Sequence, residues 1–181
     1  MDHYFVLTGA PGSGKTTVLN ALRQLGIATV DEPARQILAE QRSIGGAGVP
    51  DRNPALFTEL LLSRALYAHR RHSDSEGPLL FDRGLPDVIG YARLFGAPAE
   101  AATAAARRYR YNRTAFLAPA LPEIYCRDDE RTMSFEAARD FGEMIRGGYK
   151  TLGYEIVELP RAAPGARAGF MLARMLERLA Y

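Results

Sequence analysis

The octapeptide Gly9-Ala10-Pro11-Gly12-Ser13-Gly14-Lys15-Thr16 constrains this chain more than any other stretch. It fits the pattern G-x-x-x-x-G-K-[ST] in full. Before it stands a β-rich apolar run, Tyr4-Phe5-Val6-Leu7. After it, Val18, Leu19, Leu22 and Leu25 recur at helical spacing, and Gly26 can close the helix. A buried strand must therefore turn sharply into a helix. Glycines let the backbone bend so that successive N–H groups point inward, and the helix N-terminus adds the positive end of its dipole. Such a cradle suits a phosphate chain. The residues from Gly9 to Thr17 would wrap it, Lys15 would reach the β- and γ-phosphates, and the Thr16 hydroxyl would ligate Mg²⁺.

The rest of the chain alternates strands and helices. Residues 27–30 read as a second strand. Pro33 opens a helix carrying Ile37 and Leu38 on one face. The glycine-rich stretch 43–53 reads as a flexible loop. Asn53-Pro54 is a capping pair for a helix reaching about residue 69, and Pro78-Leu79-Leu80-Phe81 is a third strand. Helices over 86–95 and 98–111, a strand over 114–117, a long helix over 134–152, a strand over 154–159 and a closing helix complete the pattern. Phe170, Met171, Met175 and Leu179 mark that last helix. The alternation predicts α/β architecture: βαβ crossovers, a mainly parallel sheet and helices on both faces. Ligands on such sheets bind at the carboxyl ends of the strands.

Composition bounds the remaining possibilities. The chain has 181 residues, 47% hydrophobic and 24% charged, which fits one globular domain over 1–181 and excludes a disordered or fibrous chain. No apolar run approaches the ~18 residues of a membrane span. The N-terminus lacks a basic stretch, and Cys126 is the only cysteine, so a cytoplasmic protein without disulfides is expected. The net charge of +2 hides 21 arginines against two lysines, Lys15 and Lys150. Codon bias explains the bulk count, but one lysine falls where a compact, mobile ammonium is needed. A weak positive balance with acids spread throughout argues against nonspecific nucleic-acid binding.

Four further groups are candidates. Asp82 ends the apolar strand Leu79-Leu80-Phe81, as a carboxylate holding Mg²⁺ directly or through water would; a helix cap is the simpler role. Arg83 follows it, either a clamp for an anionic group or an ion-pair partner. Glu32, after Asp31 and before Pro33, is either a helix cap or a general base taking a proton from an acceptor hydroxyl; Arg35 lies one turn on. The run Arg107-Arg108-Tyr109-Arg110-Tyr111-Asn112-Arg113 reads as an exposed helix end, a small-anion site or, least favoured, a nucleic-acid platform. His3, His69 and His72 show no metal spacing, and His69 and His72 read as a solvated face beside Arg70 and Arg71.

Taken together, GAPGSGKTT, DEPAR, LLFDRGLPD, RYRYN, TAFLAPALPEIYCRDDER and YEIVELP resemble the small AAA-type P-loop ATPases related to the bacterial ribosylnicotinamide kinase domain, along nearly the whole chain. The loops around EPAR and DRG also look like those of deoxynucleoside and thymidylate kinases. The resemblance implies a three-layer nucleoside-kinase-like fold with strand order 2-3-1-4-5. It implies ATP with Mg²⁺ and a small hydroxyl-bearing, nucleoside-like acceptor. Glu32 would be the base, Asp82 the metal-linked acid and Arg83 a clamp. Arg127 and Arg131 would close onto the phosphates from a lid-like segment at about 119–135. A regulatory nucleotide switch or slow NTPase is the alternative. No NKxD motif follows the fourth strand, so nothing marks a GTPase.

Overall fold

The computed structural model describes residues 2–125 and 133–180. Strand β1 (Tyr4–Gly9) leads through the glycine loop into helix α1 (Lys15–Gln24). Then come β2 (Ala28–Val30), α2 (Pro33–Ser43), α3 (Pro54–Arg71), β3 (Leu79–Asp82), α4 (Leu85–Leu94) and α5 (Glu100–Arg108). The chain ends with β4 (Thr114–Ala118), α6 (Phe135–Thr151), β5 (Glu155–Glu158) and α7 (Pro164–Leu179). All four strand pairs are parallel, in the order β2-β3-β1-β4-β5. The expected fold class and strand order are both observed.

Strand β1 is buried along its whole length, as a central strand covered on both faces must be. Its side chains alternate between two cores. Tyr4 and Val6 join Phe81, Ala115 and helices α2 to α6 on one face, while Phe5 and Leu7 join Leu80, Phe116, α1 and α7 on the other. The register places Leu7 beside Asp82 on β3 and beside Phe116 on β4. The glycine loop, the end of β3 and the end of β2 are thereby brought to one edge.

Two local expectations are corrected and one is sharpened. Residues 44–53 form the expected loop, tied back to α2 by Gln41. The Gln41 carbonyl accepts from Gly46 N (2.7 Å), its side-chain oxygen accepts from Gly48 N (2.9 Å), and Val49 is buried. The helix expected over 98–111 ends at Arg108, because the backbone extends at Tyr109 and sends Tyr111 and Asn112 into the core. Tyr111 Oη accepts from Leu85 N (3.2 Å), and the Asn112 side chain donates to Asp2 O (2.6 Å). Arg110 stacks 4.1 Å over the Tyr154 ring and donates to Leu152 O (2.8 Å). Only Arg107, Arg108 and Arg113 of that run stay on the surface. Its tyrosines are joints between elements rather than a platform for bases. Finally, His69 is only 3% exposed, not solvated. It faces Tyr4 and Tyr111 edge-on, its Nε2 lies 3.0 Å from Arg110 O, and burial pulls its pKa down.

Candidate active site

The glycine loop needs its glycines for both backbone conformation and space. Gly12 and Gly14 have φ of 72° and 78°, left-handed values that side chains resist. A Cβ on Gly9 would lie 2.1 Å from Ala118 O on β4. One on Gly12 would meet the Tyr125 ring at 2.7 Å. Ala10 packs against Gly142 of α6, and Ser13 Oγ donates to Ala10 O (2.8 Å). Pro11 and Gly12 line the mouth of the adjoining cleft, and Thr16 and Thr17 face it from the first turn of α1. Lys15 is buried there, donating to Ala10 O (2.8 Å) and Gly9 O (3.3 Å). Burial, helped by the Arg83 charge, pulls its pKa down to about 8.

Asp82 lies beside this loop. Its Oδ1 is buried with no hydrogen-bond partner. Burial pushes its pKa up to about 6, with Lys15 opposing and Glu32 reinforcing the shift. The simple cap role leaves that oxygen unexplained. A carboxylate oxygen held without a partner, next to the Thr16 turn, fits a divalent cation or its water shell.

Glu32 occupies the N-cap position of α2, with Pro33 first in the helix, yet its side chain caps nothing. Its Oε1 instead lies 2.8 Å from Arg83 Nε and accepts from Tyr91 Oη (2.7 Å). Burial would raise this carboxyl, but the Arg83 and Lys15 charges and the Tyr91 bond hold it below the ordinary value.

Arg83 is the only non-glycine residue with positive φ (66°) among those described. The left-handed backbone costs an ordinary side chain about 1 kcal/mol, so the surroundings must impose it. Asp87 does much of this. Fully buried, it accepts from Arg83 Nη1 (2.9 Å), Gly84 N (2.8 Å), Tyr149 Oη (2.6 Å) and Thr8 Oγ1. The Arg83 guanidinium also lies 5.4 Å from the Tyr91 ring centre and 6.0 Å from that of Phe141. A chain of charges thus runs Glu32–Arg83–Asp87 across three elements.

These residues share a cleft of about 2130 Å³ that continues past Glu32 between α2, α3 and α4. Arg35, Arg64, Phe57 and Phe95 line its far part. The structure therefore brings Lys15, Thr16, Glu32, Asp82 and Arg83 into one place. Arg127 and Arg131 lie outside the described residues. Of the lid-like segment, Tyr125 covers Gly12 and donates from its hydroxyl to Met133 O (2.7 Å).

Asp87, Tyr91 and Arg167 were missed by sequence reasoning. Asp87 had a signal, since it stands three residues after Gly84 at the N-terminus of α4, a capping-box position. Tyr91 meets Glu32 across 59 positions and Arg167 meets Ser13 across 154, so neither leaves a local mark.

A family model described as an AAA domain (AAA_28) matches residues 4–167. The chain belongs to this AAA domain family. No curated protein matches the sequence. Solved structures similar to this AAA domain include NadR in complex with NR, at 19% identity and TM-score 0.72. That alignment covers 98% of this chain and 52% of NadR, so the chain spans about half of that protein. Deoxyadenosine kinase from M. mycoides aligns at 12% identity and TM-score 0.67, over 96% of this chain and 99% of the kinase. Shikimate kinase from Acinetobacter baumannii, in complex with shikimate, aligns at 17% identity and TM-score 0.58, covering 96% and 93%. At these identities the likeness is one of fold: this AAA domain has a P-loop kinase-like fold.

Proposed function

We propose that this protein is an ATP- and Mg²⁺-dependent phosphotransferase acting on a hydroxyl of a small, nucleoside-like molecule. The observation that carries this reading is the ion pair of Glu32 and Arg83 beside Lys15 and Asp82, with the cleft continuing beyond Glu32. An NTP hydrolase needs room for water only; here the space past the phosphate loop admits a second molecule. The fold neighbours that act on deoxyadenosine and shikimate agree with it.

In this reading the loop from Gly9 to Thr17 orients the phosphate chain and Lys15 contacts the β- and γ-oxygens. The Thr16 hydroxyl and Asp82 would hold Mg²⁺, which when bound neutralises charge on the β- and γ-phosphates. Glu32, kept ionised at neutral pH, accepts the proton from the acceptor hydroxyl as its oxygen approaches phosphorus. Arg83 serves as positioning residue for Glu32 and as a charge partner for the transferring group. Asp87 in turn positions Arg83.

The test is incubation with γ-labelled ATP and Mg²⁺ against a panel of nucleosides and small hydroxy acids, with Lys15→Ala as blank. Label should enter one acceptor, and Glu32→Gln should lower that transfer ~10²-fold or more with ATP binding intact. Tight ATP binding with no acceptor ever labelled would instead favour the nucleotide switch.

A further inference from the structure

Arg167 stands in the first turns of α7 and is 2% exposed. Its Nη1 donates to Ser13 O in the glycine loop (3.2 Å). Its Nε and Nη2 are buried with no partner. No carboxylate lies within ion-pair distance of it among the described residues. A guanidinium taken out of water against a single neutral carbonyl is strongly disfavoured unless an anion joins it. The residue also lines the cleft, and Gly14 leaves it room, since a Cβ there would sit 3.2 Å from Nη1.

Its place in the topology says which anion. Glu32, Asp82 and Arg83 gather over β2 and β3, whereas α7 follows β5 at the opposite edge of the sheet. A phosphate chain lying in the loop, with its reacting end toward Glu32, presents its other end to α7. We propose that Arg167 binds the nucleotide's phosphate chain at the end remote from the transferred group, supplying the second positive contact of the loop beside Lys15. The assignment rests on the nucleotide-binding reading above. It makes Arg167 a binding residue that discriminates for a nucleoside di- or triphosphate, without a part in proton transfer.

The test is titration of the purified protein with ATP and ADP, both with Mg²⁺, by calorimetry, comparing wild type with Arg167→Gln. Glutamine keeps a polar amide at the site but carries no charge. Loss of buried charge-assisted hydrogen bonds should weaken both nucleotides by about 10- to 100-fold and by similar factors. The unliganded Tm should stay level or rise, because an uncompensated buried cation has gone. Equal affinity in the two proteins would overturn the proposal, as would a lower unliganded Tm with unchanged affinity, the mark of a tether. A loss confined to ATP would place Arg167 on the transferred phosphoryl and refute the assignment to the remote end. Should Arg167→Gln fail to fold, Arg167→Lys keeps the charge and loses the fork, and must still lose affinity for both nucleotides in the same titration. A wild-type protein that binds neither nucleotide would overturn the functional reading itself. Wild-type binding matched by Arg167→Gln would sink only the role of Arg167.

Discussion

Replacing Asp82 by Asn should stabilise the unliganded protein while destroying its response to Mg²⁺-nucleotide. Asp82 is a carboxylate with one oxygen buried and unpartnered, and its pKa stands at about 6 rather than 3.8. Two pK units correspond to about 3 kcal/mol of native-state penalty, a net figure in which the Lys15 attraction is already included. The sign follows from linkage. A carboxyl with a raised native pKa costs nothing when both states are protonated, below about pH 3. The penalty grows as pH rises from the unfolded value of 3.8 toward the native value of about 6, and it is complete at about pH 7. Thermal unfolding without nucleotide or metal should therefore show Asp82→Asn level with wild type near pH 3 and about 6–12 °C higher at pH 8. Mg²⁺ with ATP should reverse the order, because only wild type gains the binding term. A variant less stable than wild type at pH 8 without ligand would refute the reasoning and make Asp82 an ordinary structural carboxylate.

Other perturbations test separate parts of the structure. Asp87→Asn leaves Arg83 buried and undercompensated, so chemical denaturation should show a loss of about 3–5 kcal/mol. Gly9→Ala drives a methyl into Ala118 O and should abolish ATP binding in a titration, with soluble yield reduced. Tyr91→Phe removes a hydrogen bond to Glu32 Oε1 without emptying the site; the pH profile of phosphotransfer should shift its acidic limb upward, as Glu32 loses one of the contacts that lower its pKa. His69 is held neutral by burial, so folding stability should fall as pH drops below its ordinary 6.5, and His69→Phe should flatten that fall in thermal scans from pH 7 to 5.

The site combines a preorganised charge chain with backbone strain. The left-handed conformation at Arg83 is unfavourable by itself, and it persists because the carboxylates of Glu32 and Asp87 are held by different helices on either side of the guanidinium. In the proposed phosphotransfer, a positioned cation of this kind would need no rearrangement as charge shifts toward the acceptor.

Much of this was legible from residues alone. The glycine pattern followed by Lys15 and Thr16 is local, since turn, cradle and helix start lie within nine residues, and backbone geometry dictates their order. Alternating short apolar runs and amphipathic stretches specified a parallel sheet, because each crossover needs a helix to return the chain. What local pattern could not decide was partnership. Glu32 looked equally like a cap until Arg83 and Tyr91 were found on its carboxylate, contacts that span 51 and 59 positions. The Arg–Tyr run looked like a surface but turns inward at Tyr111 and Asn112, and His69 is buried as well, because burial depends on what another element places opposite. Arg167 carries no motif at all; only the packing of α7 against α1 sets it under the phosphate loop. Spacing along the chain determined where phosphates would be cradled, and tertiary packing decided which charges face them, since Coulombic and desolvation energies depend on distance in space.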